Sequence, residues 1–490
     1  MPALAAEVFM LGFEGTEPDA PIRDFIKRGV SSVILFGRNA PDGAAAARLT
    51  RQLRDAAGRP LLISVDQEGG SVLRFRRGAT LWPSAMALGR LPPDDVRALG
   101  RACGQELRAM GVTMNLAPVA DVNTRTNPGI GTRSFSEDPA TAGPALAAWI
   151  EGLQAAGVAA TVKHFPGLGA AAVDTHLART VIASPRADLD ARDLPPFRHA
   201  FAAGALAAMT SHSHYTALDP AHPATTSSAI LTDLLRHELA YDGVLVTDDM
   251  RMGALTAHAA TPQACVEALA AGADSLLICR NAPVQEAALH AVIDATHRGA
   301  LPRARLAEAA ARVRRLRAWV GERTGPVEPL PELTARHARL VDAALDRAIH
   351  VLRDRDRLLP LTWRGPDVEV LFPDLALHTP VEEQVTGEAD YLRDLCARLG
   401  GARLTRYAPD AAPVRPATAR RVLFTAEAHL HAGQTALIRA CAASGQTVLV
   451  PLRTPHDADL APAIGTALTA FGYLPNALAA LSRRLFGGVK

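Results

Sequence analysis

Short apolar runs recur along the first two thirds of the chain, separated by longer stretches rich in Ala, Leu and Arg whose apolar positions return at helical spacing. The runs fall at residues 8–12, 32–36, 61–65, 112–116, 159–163, 207–211, 243–247 and 275–279 and read as buried strands. Segments 43–57, 94–109, 141–156 and 261–272 read as helices between them. Eight strands, each followed by a helix, predict an α/β fold, a (β/α)8 TIM-type barrel, ahead of an open doubly wound sheet.

A barrel carries a second expectation, that functional side chains gather where strands end and loops begin. Polar clusters occur at those places. Asp66-Gln67-Glu68-Gly69-Gly70 follows the third run, and Asn115, Asp121 and Asn123 follow the fourth. Lys163-His164 closes the fifth, Ser211-His212 the sixth and Asp248-Asp249 the seventh. Packing alone does not account for polar residues at five strand ends.

The Pro-rich stretch 324–331 reads as a linker, dividing the chain into a barrel over residues 1–323 and a smaller C-terminal domain over 332–490. Apolar runs at 368–372, 421–425 and 447–452, with helical patterns between them, predict an α/β layer structure there.

The chain has 490 residues, 48% hydrophobic and 21% charged, with a formal net charge of +2, so neither nucleic acid nor an anionic membrane is indicated as a partner. Five scattered cysteines form no CxxC pair, which argues against a metal site or disulfide framework and for isolated thiols in a reducing compartment. The N-terminal MPALAAEVFMLGFEG shows no basic leader or long apolar run, so a cytoplasmic location is expected.

The segment Lys163-His164-Phe-Pro-Gly-Leu-Gly leads through a loop to Asp174 and His176. Residues two apart in extended backbone point the same way, so the carboxylate can orient the imidazole for general acid/base work near neutral pH. For the tripeptide alone, an incidental Asp-x-His in a solvated loop is the stronger reading. Gly167-x-Gly169-x-x-Ala172 matches a dinucleotide-binding turn only loosely, because no helix opens from it. At the seventh strand end one of Asp248 and Asp249 faces the barrel axis, free to attack an anomeric carbon, while the other caps the next helix. Arg74, Arg133, Lys163 and His164 supply donors suited to a polyhydroxylated ligand. His212, His214 and His222 read as structural or surface residues, and no HExxH-type metal spacing is present.

Together, KHFPGLG…DTH, VTDDMRM, ISVDQEGGSVLRF, NLAPVADVN and IGTRSF resemble glycoside hydrolase family 3, and within it the N-acetylglucosaminidase branch of peptidoglycan recycling. The resemblance implies Asp248 as nucleophile and His176, paired with Asp174, as acid/base. It implies Asp66, Arg74, Arg133, Lys163 and His164 as binders of an N-acetylglucosamine ring. No cofactor is implied. Single-domain members lack the C-terminal region, so catalysis independent of it is expected. The loop departs from the family pattern at Leu168, Ala170 and Ala171, which replace polar residues and predict weaker tethering. A histidine acid/base repels an incoming anion less than a carboxylate does, so phosphate is a conceivable acceptor; absence of sugar 1-phosphate in phosphate buffer would dismiss it. The rival readings are a β-glucosidase or other family 3 exo-glycosidase, and a non-catalytic sugar-binding relative.

Overall fold

The computed structural model describes residues 2–173, 179–323, 325–375, 379–383, 388–411 and 416–488. Its first part is an eight-stranded parallel sheet rolled into a barrel. The strands are β1 (Phe9–Leu11), β2 (Ser32–Leu35), β3 (Leu62–Val65), β4 (Met114–Asn115), β5 (Ala159–Phe165), β6 (Ala207–Thr210), β7 (Val244–Val246) and β8 (Leu276–Ile278). They pair in sequence order, β8 returns to β1, and a bridge between Val246 and Ser275 joins β7 to β8.

Both faces of every barrel strand are buried, which is why these segments read as apolar runs without alternation. The two faces nevertheless serve different layers. Met10, Ile34, Leu62, Met114, Met209 and Leu277 point into the barrel. Their neighbours Phe9, Leu11, Val33, Leu35 and Ile63 pack against the outer helices. Helix Arg303–Gly321 closes the lower end of the barrel by adding Val313, Leu316 and Val320 to the interior cluster.

Helix Leu330–Ala348 begins inside the stretch read as a linker and packs along helix Pro93–Ala109. It leads to a six-stranded sheet of β9 (His350–Asp354), β10 (Val368–Pro373), β11 (Arg403–Tyr407), β12 (Arg420–Thr425), β13 (Gln446–Pro451) and β14 (Thr466–Thr469). The spatial order is β9-β14-β13-β12-β10-β11, with only β9 antiparallel to its neighbour. Hydrogen bonds from Ser84 to the Phe471 carbonyl (2.6 Å) and from Asn476 to the Leu81 carbonyl (2.7 Å) dock this sheet domain on the barrel. No helix among the described residues is long and apolar enough to cross a membrane.

Candidate active site

The C-terminal ends of the strands surround a cavity of about 390 Å³. Ile34, Leu116, Met209 and Leu277 form its floor, and polar groups from the loops form its walls.

The first wall grows from β3. The chain leaves β3 at Asp66 and makes a tight hairpin between Gln67–Gly69 and Val72–Leu73. Asn115 accepts the Gln67 N–H at 3.0 Å and donates to the Gln67 carbonyl at 3.0 Å. The Gln67 side chain accepts the Arg74 N–H at 2.9 Å and donates to the Phe75 carbonyl at 2.9 Å. Gly69 adopts φ +107°, and a Cβ there would lie 2.0 Å from the Pro83 carbonyl oxygen. These constraints place Asp66, Glu68 and Arg74 on one rigid turn.

On that turn a buried ionic cluster assembles. Lys163 Nζ, from β5, lies 2.7 Å from both Asp66 and Glu68. Arg133 holds Glu68 with two bonds of 2.8 and 2.9 Å. Arg74 Nη2 stands 3.5 Å from Asp66. Burial alone would raise the Glu68 carboxyl, but the adjoining Arg133 and Lys163 charges outweigh it and hold the group well below the usual carboxylate range. Burial likewise opposes the charge on Lys163, and the two carboxylates more than restore it. The result is a fixed, largely buried array of charged donors and acceptors.

Opposite this array stands Asp248. β3 and β7 are four strands apart in an eight-stranded ring, so Asp66 and Asp248 face each other across the barrel axis. His164 lies between them in chain order around the barrel. Its backbone N–H and Nδ1 both engage Asp121, at 3.2 and 2.7 Å, and Nε2 lies 3.9 Å from Asp248 Oδ2.

Asp249 departs from the expectation that the second carboxylate caps a helix. It also borders the cavity, and its Oδ1 accepts the N–H groups of Arg251 and Cys279, both at 3.3 Å. The next helix, Gly253–Thr256, starts from Met252 instead. Asp249 therefore ties the end of β7 to the end of β8, and burial raises its carboxyl above the ordinary range. His212 supports the same corner, 3.0 Å from the Asp249 carbonyl and 2.7 Å from the Thr225 hydroxyl.

The loop after β5 is also better tethered than its composition predicts, as far as Ala171. The Leu168 N–H donates to Asp121 at 2.6 Å, and Asn127 donates to the Leu168 and Gly169 carbonyls at 2.8 and 3.0 Å. The Tyr215 hydroxyl donates to the Gly167 carbonyl at 2.8 Å. Leu168 and Ala171 are buried in the main apolar core, which explains apolar residues in this loop. Asp174 and His176 lie outside the described residues.

The structure thus brings Asp66, Arg74, Arg133, Lys163, His164 and Asp248 around one cavity. Glu68 and Asp121, until here only members of the polar clusters after the third and fourth runs, gain definite partners, and Glu383 is new to the site. Glu68 had a local signal, since it stands two positions after Asp66 in extended backbone. Asp121 had its polarity and its place after the fourth run. Glu383 had none, because Pro380–Glu383 of the C-terminal domain reaches the cavity from more than 300 residues beyond Arg74 in sequence. The C-terminal domain, on which catalysis was not expected to depend, thus forms part of the cavity wall through that segment. Among the described residues no cluster suited to a metal ion is found.

Comparison with known proteins places this geometry in context. Residues 8–316 match the glycosyl hydrolase family 3 N-terminal domain. A beta-hexosaminidase of Stenotrophomonas maltophilia is 41% identical over 295 residues, covering 58% of this chain and 87% of that protein. A glycoside hydrolase family 3 beta-N-acetylglucosaminidase from Paenibacillus sp. superposes with a TM-score of 0.91 at 31% identity, over 100% of this chain and 97% of the other. A beta-N-acetylhexosaminidase from Beutenbergia cavernae gives 0.61 at 31% identity, over 65% of this chain and 98% of its own.

Proposed function

Because the chain belongs to glycosyl hydrolase family 3 and is an O-glycosyl hydrolase, we propose that it is a retaining β-N-acetylglucosaminidase releasing the terminal non-reducing sugar from β-linked substrates. One observation carries this reading: Asp248 faces the Asp66–Lys163–Glu68–Arg133 array across a cavity of monosaccharide scale. The array meets sugar hydroxyls with paired donors and acceptors, and the carboxylate meets the anomeric carbon.

Asp248 attacks that carbon and forms a glycosyl-enzyme, while the glycosidic oxygen leaves with a proton. Water then attacks the same carbon, gives up its proton to a base, and displaces the carboxylate with net retention. The developing positive charge at the anomeric centre is met by Asp248, beside which Asp121 holds the His164 ring, Nε2 at 3.9 Å. For the acid/base we propose His176 with Asp174 as its partner, which rests on the DTH sequence. We further propose muropeptide fragments of peptidoglycan, recycled in the cytoplasm, as the physiological setting, in keeping with the family branch that the motifs resemble.

The test compares nitrophenyl β-N-acetylglucosaminide with the corresponding glucoside, on the wild type and on Asp248→Asn. Release from the first substrate, abolished in the variant with binding kept, is expected. Preference for the glucoside, or normal turnover in Asp248→Asn, would overturn the reading. Mass spectrometry of digested muropeptides tests the physiological substrate separately.

A further inference from the structure

The barrel ring places β3 opposite β7, and in a pyranose ring C4 is the atom opposite C1. A sugar presenting C1 to Asp248 therefore directs its C4 and C6 hydroxyls toward the end of β3. At that end the cavity wall is completed by the C-terminal domain, through Pro380–Glu383.

This segment is held firmly. The Glu383 N–H donates to the Ser71 carbonyl at 3.2 Å, and its carbonyl accepts from Arg76 at 2.9 Å. The Val381 carbonyl accepts from Arg74 Nη1 at 2.7 Å. The adjacent Glu382 is buried and takes two bonds from Arg453, of 2.7 and 2.9 Å. Fixed at these points, the Glu383 side chain extends into the cavity, 29% exposed, with Oε1 3.2 Å from Arg74 Nη1. Its Oε2 lies over Gly37, 3.0 Å from where a Cβ on that residue would stand. Both carboxylates share Arg74, at 3.2 Å from Glu383 and 3.5 Å from Asp66, and Asp66 is in addition bound by Lys163 at 2.7 Å.

We infer that Glu383 is a specificity-determining residue, its carboxylate accepting a hydrogen bond from the C4 or C6 hydroxyl of the terminal sugar, so that the C-terminal domain reads the non-reducing end. The inference rests on the proposed glycosidase activity and adds a residue and a domain to it. A preorganised carboxylate acceptor is worth enough that losing its hydroxyl partner costs roughly tenfold in kcat/KM.

The experiment measures kcat/KM for the nitrophenyl N-acetylglucosaminide and its 4-deoxy and 6-deoxy analogues. It uses the wild type, Glu383→Ala and Gly37→Ala, the last pushing the carboxylate aside without removing it, with thermal melting as the folding control. In the wild type one deoxy substrate should lose about tenfold, and in Glu383→Ala that penalty should shrink to about twofold or less. Gly37→Ala should shrink it in part. Equal penalties in the wild type and both variants would overturn the inference and leave the glycosidase reading standing. A wild type that releases no N-acetylglucosamine would overturn both.

Discussion

Nδ1 of His164 lies 2.7 Å from Asp121, and the opposite nitrogen of the same ring points toward Asp248 at 3.9 Å. A fully buried carboxylate thus fixes the ring that stands beside the proposed nucleophile. Asp121→Asn removes the charge that selects the Nδ1–H tautomer and weakens the grip on Leu168. A fall in kcat of roughly tenfold or more, with a smaller change in KM, is expected. Steady-state kinetics check this; unchanged kcat would detach the ring's orientation from the rate.

Glu68 sits between two buried cations, Arg133 and Lys163. Glu68→Gln leaves those charges with Asp66 as their nearest compensation. A buried ion pair broken on one side costs on the order of 3–5 kcal/mol, so a large loss of stability and a raised KM are expected. Urea unfolding monitored by circular dichroism gives the first quantity, and substrate titration the second.

Asp193 is buried beneath the Gly167 turn, and burial pushes its carboxyl up to about 6, against the opposing hydrogen bond from Arg192. Between the ordinary 3.8 and about 6 the folded chain keeps a proton that the unfolded chain has released, so this group's contribution to stability falls as pH rises through that window. The full difference converts to roughly 2–3 kcal/mol. Asp193→Asn cannot ionise. Relative to wild type, its unfolding free energy should therefore improve between pH 4 and 7 by roughly that amount, as measured by denaturant titration at several pH values. A pH-independent difference between the two proteins would refute the assignment.

Gly169 passes so close to Val122 that an added Cβ would lie 1.7 Å from its carbonyl oxygen. Backbone cannot yield as a flexible side chain does. Gly169→Ala is expected to cost about 1–3 kcal/mol, and to lower activity by displacing the loop that continues toward Asp174. Thermal melting and turnover number together check it. A variant as stable and active as the wild type would show that the loop relaxes freely.

The division between sequence and structure follows the range of the forces involved. Strand and helix positions were legible because burial on both faces of a parallel strand and on one stripe of a helix prints a local pattern, and the helix expected at 43–57 is observed as Gly43–Ala57. Asp66, Lys163, His164 and Asp248 were legible because a barrel delivers strand ends to one rim, so chain position alone puts them there. Charge balance was not legible. Which carboxylate neutralises Arg133, and which one orients His164, depends on distances across separate loops. What holds Asp249 was likewise decided by tertiary contact, because the Cys279 N–H that it accepts comes from the next strand's end. Furthest from any local pattern is Glu383. Only the docking of the C-terminal domain on the barrel brings its carboxylate to Arg74, and no periodicity in a chain encodes an approach between segments so far apart.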